Sequence, residues 1–445
     1  MKKYLVLAWI ISSAIPSIAQ SLSPKIDTLM TAFEKQKSFN GSVLVARGGI
    51  VIFEKGYGYK NKKENTWNDG STIFQIGSIT KQFTSAIILQ LEEKKRLSLQ
   101  DKLSKYIPDY PNGDQITIEH LLTHTSGVYN YTNDTAFMRK SAFTPISRTS
   151  LIALFKNKPL DFHPGDKFNY SNSGYILLGY IIERVTGKSY FRVVRENIFQ
   201  PLHMDHSGFD FTDLVSVDKA IGYMPAGTGQ PAPIVDSSVS FAAGAIYTTL
   251  GDLYKWDRAL YTGVISSQSS LQRAFTPHLS NYGFGWSIDS AFGKKIVEHG
   301  GGIPGFVSFI LRVPEDQTCV IILDNHPSQA PPGQMAGEIN ALLDGKPYDI
   351  PHGRTAIHLD TSLLQKYVGE YQLAPGFILT ISVENGSLMS QATGQGKVEL
   401  FAEKEDFFFL KVIDAQIEFM KGPDNKVEKL ILHQNGQSVT GNKIK

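Results

Sequence analysis

The chain has 445 residues, 42% of them hydrophobic and 19% charged, which is the composition of a globular protein with a sizeable core. Its 44 lysines and arginines nearly balance its 42 aspartates and glutamates, leaving a net charge of +2. This balance, without a long basic cluster, argues against nucleic acid as a partner, and the length leaves room for two or three domains.

The N-terminus has the pattern of a secretory signal peptide over residues 1–19. Lys2 and Lys3 precede an apolar run from Tyr4 to Ile11, and the small residues Ser17 to Ala19 follow. The apolar run is too short for a confident membrane span. We therefore predict cleavage after Ala19, a secreted or periplasmic protein, and no stable membrane span.

The next part of the chain alternates between strand-like and helical periodicity. In chain order, the patterns predict a helix at Lys25–Lys37, a hairpin of Ser42–Ala46 and Ile50–Tyr57, a helix beginning at Ser78, mainly helices and loops over 103–276, strands at Gly283–Ser287, Lys295–His299, Phe306–Arg312 and Cys319–Asp324, and a closing helix at Met335–Leu343. They indicate one domain over 20–344, with a sheet assembled from both of its ends. Cys319, the only cysteine, is predicted to be a buried core thiol.

A predicted linker at 345–363 separates this domain from an all-β region at 364–445. The predicted strands are Tyr367–Gln372, Ile378–Val383, Leu388–Ala392, Val398–Ala402, Phe407–Val412, Gln416–Met420 and Val427–Leu432, with a turn at Asn385-Gly386. About seven or eight short strands at regular spacing predict a small β-barrel.

The most informative spacing in the chain is that of Ser78 and Lys81. They stand one turn apart at the start of an apolar helical run, so their side chains share a face. A serine hydroxyl is a weak nucleophile at neutral pH and needs such a neighbour. The free N–H groups at the start of a helix also suit a developing oxyanion. The spacing alone is common, since Ser216 and Lys219 repeat it.

Two further motifs follow in chain order, Tyr170-Ser171-Asn172 and His299-Gly300-Gly301, the latter leading into Gly302. With their flanks, they resemble the class C β-lactamase-related group of serine hydrolases, which is similar to penicillin-binding proteins. The flanks that support the resemblance are Leu121 to Gly127, Phe241 to Thr249 with Asp252, and Tyr282 to Trp286. His124, before Gly127 at the end of a short helix, is predicted to be structural.

The resemblance extends from about Ile26 to Asn325 and implies a fold. That fold is α/β (α+β), β-lactamase/transpeptidase-like, with an antiparallel sheet and a helical subdomain. It implies that Ser78 and His299 lie on opposite walls of one cleft. The C-terminal β region resembles the lipocalin-like domain attached to some relatives.

One departure from the class C pattern bears on the substrate. Class C β-lactamases have Lys-Thr-Gly as their third motif, whereas this chain has His299-Gly300-Gly301, more like D-amino-acid peptidases and family VIII-type esterases. A lysine offers a permanent charge to a substrate carboxylate, whereas a histidine is mostly neutral above its usual pKa of about 6.5. We therefore expect recognition of a carboxylate to be weaker or more dependent on pH.

The predicted roles follow from these residue types. Ser78 attacks a carbonyl and is acylated, Lys81 orients it, and Tyr170 shuttles the proton, provided that Lys81 and His299 act as cations that stabilise its phenolate.

Asn172, His299 and the glycines Gly301 and Gly302 are predicted to bind substrate, because an amide can pair with substrate or Lys81 and glycine lets a strand approach closely. By resemblance, the N–H groups of Ser78 and Gly302 form the oxyanion hole.

Two classes of function remain open from the sequence. The first is a secreted serine hydrolase that forms an acyl-enzyme on a small peptide, amide, ester or β-lactam bond; D-peptidase, esterase and true β-lactamase are not separated. The second is a non-catalytic protein that senses cell-wall fragments with the same cleft. Both take a small molecule or short peptide, and no cofactor or metal is predicted. The oligomeric state is left open.

Overall fold

The computed structural model describes residues 14–36, 38–224, 229–326, 330–351, 354, 356–411, 415–434 and 437–445. Most of the predicted signal peptide and the predicted strand end at Val412 lie outside the described residues. The chain divides into two compact units, residues 1–328 with 335–349 and residues 329–334 with 350–445. In the described part of the chain, no helix combines the length and the apolar character needed to cross a membrane.

The strands that precede the barrel form one large antiparallel sheet and two short ribbons. They are β1 Gly41–Arg47, β2 Ile50–Tyr57, β3 Tyr59–Asn61, β4 Thr66–Trp67, β5 Phe74–Gln75, β6 Tyr247–Thr248, β7 Ser287–Ala291, β8 Lys294–Ile303, β9 Phe306–Val313 and β10 Thr318–Asp324. The large sheet has the order β2-β1-β10-β9-β8-β7, while β3 pairs with β4 and β5 pairs with β6. The predicted assembly of the sheet from both ends of the domain is confirmed, because β1 pairs with β10.

Helices fill the chain between and around these strands. They are α1 Ala14–Lys35, α2 Thr80–Glu93, α3 Ile118–Leu122, α4 Thr135–Lys140, α5 Arg148–Lys156, α6 Asn172–Thr186, α7 Tyr190–Val194, α8 Ser237–Gly244, α9 Leu250–Ala259, α10 Gln268–Ala274, α11 Pro332–Leu343 and α12 Thr361–Leu364. A π-helical turn at Arg195–Phe199 follows α7, and short 3₁₀ turns include Gly77–Ile79 and Tyr131–Asn133.

The middle of the sheet is buried on both faces. Every residue of β10 is buried, as are the first six of β1. Since successive side chains of a strand point to opposite faces, both faces must be covered. Helix α9 packs against β10 and β1, and α1 packs against β2. This explains why β10 is a continuous apolar run rather than an alternating one.

Helix α2 is the centre of the helical part. Its residues from Thr80 to Leu91 are all buried, so it is covered on every side. It packs against α6, α7 and α8. The 3₁₀ turn Gly77–Ile79, which comes directly before α2, packs against β8, β9 and α8. Ser78 therefore lies where the sheet meets the helices.

The second unit is a closed antiparallel barrel of eight strands. They are β11 Gly369–Ala374, β12 Phe377–Glu384, β13 Ser387–Ala392, β14 Val398–Ala402, β15 Phe407–Phe409, β16 Ala415–Lys421, β17 Val427–Gln434 and β18 Gln437–Lys443. Pairing of β11 with β18 closes it. Its core contains Tyr367, Tyr371, Phe408, Phe419 and Leu430, so large side chains fill the interior.

Candidate active site

Ser78 lies in the 3₁₀ turn Gly77–Ile79 rather than in the α-helix, which begins at Thr80. The predicted helix start at Ser78 is therefore corrected by two residues. Ser78 and Lys81 still share a face, because residues three apart are also aligned in a 3₁₀ turn. Gly77 has a φ of +49°, and a Cβ there would lie 2.7 Å from the Gly302 nitrogen. A side chain at position 77 would push the turn away from β8.

The amine of Lys81 is fully buried and has three partners. Its Nζ lies 3.1 Å from Ser78 Oγ, 2.8 Å from Asn172 Oδ1 and 2.9 Å from the main-chain oxygen of Ala243. The two carbonyl oxygens can only accept, so the amine donates to both. A neutral amine has two hydrogens and one lone pair, so its lone pair then faces the Ser78 hydroxyl.

Burial lowers the pKa of Lys81 well below its usual value. None of the ion pairs found within the described residues includes Lys81, so no carboxylate offsets this desolvation. The nearest aromatic rings are those of Tyr170 and Tyr175, at 4.8 and 5.4 Å from Nζ. A lowered pKa increases the fraction of neutral amine, which is the form that can accept a proton.

Asn172 is oriented by its neighbours so that its oxygen faces Lys81. It is the first residue of α6, its main-chain N–H donates to Asn130 Oδ1 at 3.1 Å, and its Nδ2 donates to Thr132 Oγ1 at 3.2 Å. The side-chain amide therefore has a fixed sense, with the donor toward Thr132 and the acceptor toward Lys81.

The carbonyl of Ala243 is aimed by a strained turn inside α8. Phe241 has φ 38° and ψ −131°, an unusual conformation for a bulky residue. The ring of Phe241 is covered by the Arg148 guanidinium, 3.2 Å from its centroid. Beyond the kink, the Ala242 oxygen accepts from the Thr84 hydroxyl at 2.7 Å and the Ala243 oxygen accepts from Lys81. Strain of this kind at a site indicates a functional constraint.

Tyr170 brings its hydroxyl into the same cluster. The hydroxyl is buried and makes no hydrogen bond of good geometry among the described residues, although its contact with the Ser78 hydroxyl lowers its pKa. Burial is the larger effect and raises the pKa of Tyr170 above its usual value. The group is therefore a protonated phenol.

His299 is a buried residue of β8 with both ring nitrogens engaged. Nδ1 lies 2.5 Å from the Gly300 oxygen and Nε2 lies 2.8 Å from the Tyr282 hydroxyl. Burial, with the nearby charge of Lys81, lowers the pKa of His299 to about 4. The expectation that His299 is a cation supporting a Tyr170 phenolate is therefore wrong at neutral pH. The rings of Tyr170 and His299 are 6.3 Å apart between centroids.

The glycines of β8 differ in their surroundings. A Cβ on Gly301 would lie 2.0 Å from the Ile76 oxygen and 2.4 Å from Ser308 Oγ, whereas no described atom lies within 4 Å of a Cβ on Gly302. The Ser308 hydroxyl donates to that Ile76 oxygen at 2.9 Å. Gly301 thus allows β8 to pack against the turn before Ser78, and Gly302 faces open space beside it.

The second Ser-x-x-Lys spacing has no such surroundings. Ser216 lies in a loop, where its hydroxyl accepts from the Asp218 N–H at 3.1 Å. Lys219 donates to the main-chain oxygens of Thr212 and Leu214, both at 3.2 Å. Ser216 and Lys219 therefore stabilise a loop through hydrogen bonds to its main chain.

The comparisons with known proteins agree with this geometry. Residues 26–344 match the Beta-lactamase family. The chain belongs to the β-lactamase family. Residues 354–443, which include the barrel strands, match a domain of unknown function, DUF3471.

Relatives of this β-lactamase family member include penicillin-binding proteins and an amidohydrolase. Penicillin-binding protein 4* of Bacillus subtilis (strain 168) is 29% identical, over 94% of this chain and 98% of its own. The solved octameric penicillin-binding protein homologue from Pyrococcus abyssi has a TM-score of 0.69 at 26% identity, covering 94% of this chain and 99% of that chain. A D-stereospecific amidohydrolase from Streptomyces sp. has a TM-score of 0.64 at 26% identity, covering 72% and 99%. The protein is thus a serine hydrolase of the penicillin-binding protein-like kind.

Several residues of this cluster were not assigned to the site from the sequence. Asn130 and Thr132 orient Asn172, the Ala243 main chain holds Lys81, and Tyr282 holds His299. Two signals were available, because Ala243 and Tyr282 lie in the flanking stretches that support the family resemblance. For Asn130 and Thr132, the only hint was their position shortly after the Leu121 to Gly127 stretch.

Proposed function

We propose that this protein is an exported serine hydrolase that acts through a Ser78 acyl-enzyme on small amide or ester bonds. The observation that carries the proposal is the Lys81 amine, 3.1 Å from Ser78 Oγ and held by the carbonyl oxygens of Asn172 and Ala243. Such an amine can take the proton of the Ser78 hydroxyl without any movement of the main chain.

Acylation begins when Ser78 Oγ forms a bond to the substrate carbonyl carbon and its proton passes to Lys81 Nζ. The carbonyl oxygen becomes an oxyanion, for which we propose the N–H groups of Ser78 and Gly302 as donors. Ser78 is in the first turn of its helical segment, where N–H groups have no intrahelical acceptor. Gly302 is adjacent, since the turn at Gly77 approaches its nitrogen.

Tyr170 then delivers a proton to the leaving group. Its phenol is protonated, so it donates its proton to the departing nitrogen or oxygen and takes one back from Lys81. The bond between the carbonyl carbon and the leaving group breaks, and Ser78 remains esterified. A water molecule next attacks the ester, the acid product leaves, and Ser78 recovers its proton.

The side of the cleft that contains His299 favours substrates that have no carboxylate next to this residue. At pH 7 its imidazole is neutral and both nitrogens are already paired, with Gly300 and Tyr282. It therefore offers no permanent charge where class C β-lactamases have a lysine. The D-stereospecific amidohydrolase among the relatives supports an amide substrate. A D-amino-acid amide or a short ester is our preferred substrate class.

The test is a matched substrate panel. Wild type, Ser78→Ala and the decoy control Ser216→Ala are assayed on nitrophenyl esters, D-amino-acid amides and a chromogenic cephalosporin. We expect the wild type to turn over esters or D-amides at least as well as the cephalosporin. Activity should be lost in Ser78→Ala and kept in Ser216→Ala. A fluorophosphonate should form an adduct on the Ser78 peptide of the wild type. Preferential cephalosporin turnover would indicate a true β-lactamase. Tight binding of cell-wall fragments without turnover or adduct would indicate a sensor.

Export is part of the same proposal, based on residues 1–19 alone. Expression of the full chain and of a chain lacking residues 2–19 in a Gram-negative host tests it. We expect the full chain in the periplasm or medium with a new N-terminus at Gln20, and the shortened chain in the cytoplasm. Retention of the full chain in the cytoplasm would contradict it.

A further inference from the structure

His124 occupies an unusual position for a structural residue. It follows α3 by two residues, is 1% exposed, and has a φ of +57°, a left-handed conformation that residues with a side chain seldom adopt. A buried polar residue in this conformation indicates that its surroundings require both its main chain and its ring.

The main chain and ring of His124 hold the residues on either side of Tyr170. The Asn169 N–H donates to the His124 main-chain oxygen at 2.9 Å. The Ser171 N–H donates to His124 Nδ1 at 3.1 Å. Tyr170 therefore lies between two main-chain groups that are both fixed by one residue.

The His124 ring also supports the ring of Tyr170 directly. The ring centroids of His124 and Tyr170 are 4.2 Å apart, and those of His124 and Tyr282 are 4.8 Å apart. Since Nδ1 accepts from Ser171, Nε2 bears the proton, and it has no partner in the described part of the chain. A phenylalanine would fill this space without a buried unpaired N–H, so packing alone does not explain a histidine here.

The hydroxyl of Tyr170 makes no hydrogen bond of good geometry among the described residues, and its polar contact is with Ser78, its partner in the reaction, rather than with a residue that would anchor it. Its position relative to Ser78 and Lys81 must then come from the Tyr170 main chain and ring. His124 contacts both, through the main-chain N–H groups of Asn169 and Ser171 and through its ring, which packs at a tilt against the ring of Tyr170. We infer that His124 is a positioning residue, which acts through Tyr170 to place the phenol for proton transfer. This inference rests on the proposed role of Tyr170.

Two substitutions separate the contribution of the His124 ring from that of its Nδ1 acceptor. His124→Phe keeps an aromatic face and loses the acceptor for Ser171, whereas His124→Gln keeps an acceptor and loses the ring. We expect each to lower kcat on a nitrophenyl ester by roughly tenfold, with KM within about twofold, because a small displacement of a catalytic group slows the chemical step. His163→Phe, at an exposed histidine in the same part of the chain, is the control and should match wild type.

The deciding measurement repeats both substitutions in a Tyr170→Phe background. If His124 acts through Tyr170, they change kcat there by less than about twofold, since residues that act as a unit are not additive. An equal tenfold loss in both backgrounds would mean a general structural role and would overturn the inference, as would wild-type kcat in both single variants. Should His124→Phe fail to fold, His124→Gln decides by the same comparison. Near-wild-type turnover in Tyr170→Phe alone would instead refute the proposed role of Tyr170, on which this inference rests, and would leave Lys81 as the only base.

Discussion

Tyr170 and Tyr175 both place a ring beside the Lys81 amine, but only the hydroxyl of Tyr175 is anchored. It donates to the Leu122 oxygen at 2.9 Å and lies 3.2 Å from Ser85 Oγ. The Tyr170 hydroxyl has no such partner among the residues described. An anchored phenol has a structural task, whereas a free one beside a serine and a lysine is available for proton transfer.

This contrast predicts opposite outcomes for two matched variants. Tyr170→Phe should lose about 10²-fold or more in kcat, as expected when a positioned acid–base group is removed. Its free energy of unfolding should stay equal or rise, because no hydrogen bond of good geometry is broken and a buried, poorly paired hydroxyl is removed. Ester turnover and urea unfolding check both.

The control, Tyr175→Phe, should keep most of its activity and lose about 1–3 kcal/mol of unfolding free energy, since the Leu122 carbonyl loses its donor. If Tyr170→Phe turns over ester at the wild-type rate while folded, Tyr170 is a core residue and Lys81 is the only base.

Lys81 and Lys219 form a second matched pair. Each amine donates to two carbonyl oxygens, but only Lys81 also faces a serine hydroxyl. Lys81→Met should lower the rate of Ser78 acylation by about 10²–10⁴-fold, and Lys219→Met should leave it unchanged.

The pH dependence of acylation tests the same residue. The amine must be neutral to accept a proton, and burial lowers the pKa of Lys81, so the wild-type rate should rise with pH with a midpoint well below the usual lysine value. Single-turnover acylation by a nitrophenyl ester measures it. A midpoint that persists unchanged in Lys81→Met would assign the titration to another group.

Side-chain spacing located much of this cluster, and main-chain geometry explains part of what it missed. Ser78, Tyr170 and Asn172 belong to short local motifs, so their types and order are visible in the chain. The Ala243 carbonyl is not, because its direction depends on the kink at Phe241 and not on a side chain.

Strand boundaries show the same limit. The predicted strand Gly283–Ser287 begins only at Ser287, because the preceding residues form a tight turn in which the Gly283 N–H donates to the Trp286 oxygen and Gly285 has a φ of +78°. The eighth barrel strand, Gln437–Lys443, was not predicted. It is mostly polar, and its place follows from pairing with β17 and β11 rather than from its own pattern.

Two of the three glycines of β8, Gly301 and Gly302, predict a difference between folding and binding. Gly301→Ala should cost about 1–3 kcal/mol of unfolding free energy and disturb Ser78, since its Cβ would overlap the Ile76 oxygen. Gly302→Ala should stay within about 0.5 kcal/mol of wild type, because its Cβ points to open space.

If substrate lies over Gly302, that variant should also raise KM. Urea unfolding and steady-state kinetics on one ester separate the two effects. Equal stability of both variants would mean that β8 can move away from the turn before Ser78.

His299 predicts a loss of stability in acid. Its pKa is about 4 in the folded protein against about 6.5 when exposed, so the unfolded chain binds more protons between these values. The free energy of unfolding should therefore fall as pH drops through this window, by about 3 kcal/mol for this group near pH 4.

Urea unfolding near neutral pH and near pH 4.5 measures the effect. The dependence should be shallower in His299→Gln, whose side chain does not titrate, than in wild type. His163→Gln, at an exposed histidine, should keep the wild-type slope. Parallel slopes in all three proteins would place the acid-sensitive group elsewhere, with the buried His124 as the next candidate, since burial lowers the pKa of His124 well below its usual value.

Position 299 also predicts the choice of substrate. The His299 imidazole is neutral at pH 7, and both of its nitrogens are hydrogen-bonded, so it offers no positive charge to a substrate carboxylate. Because its pKa is about 4, it becomes substantially protonated only near that pH. We therefore expect His299→Lys to raise kcat/KM for carboxylate-bearing β-lactams relative to neutral esters, whereas the neutral variant His299→Gln should not. The ratio of the two kcat/KM values is the quantity to compare, since a second amine near Lys81 should slow both reactions by like-charge repulsion. Efficient cephalosporin hydrolysis by the wild type, with no gain in the lysine variant, would mean that another residue binds the carboxylate and that the protein is a true β-lactamase.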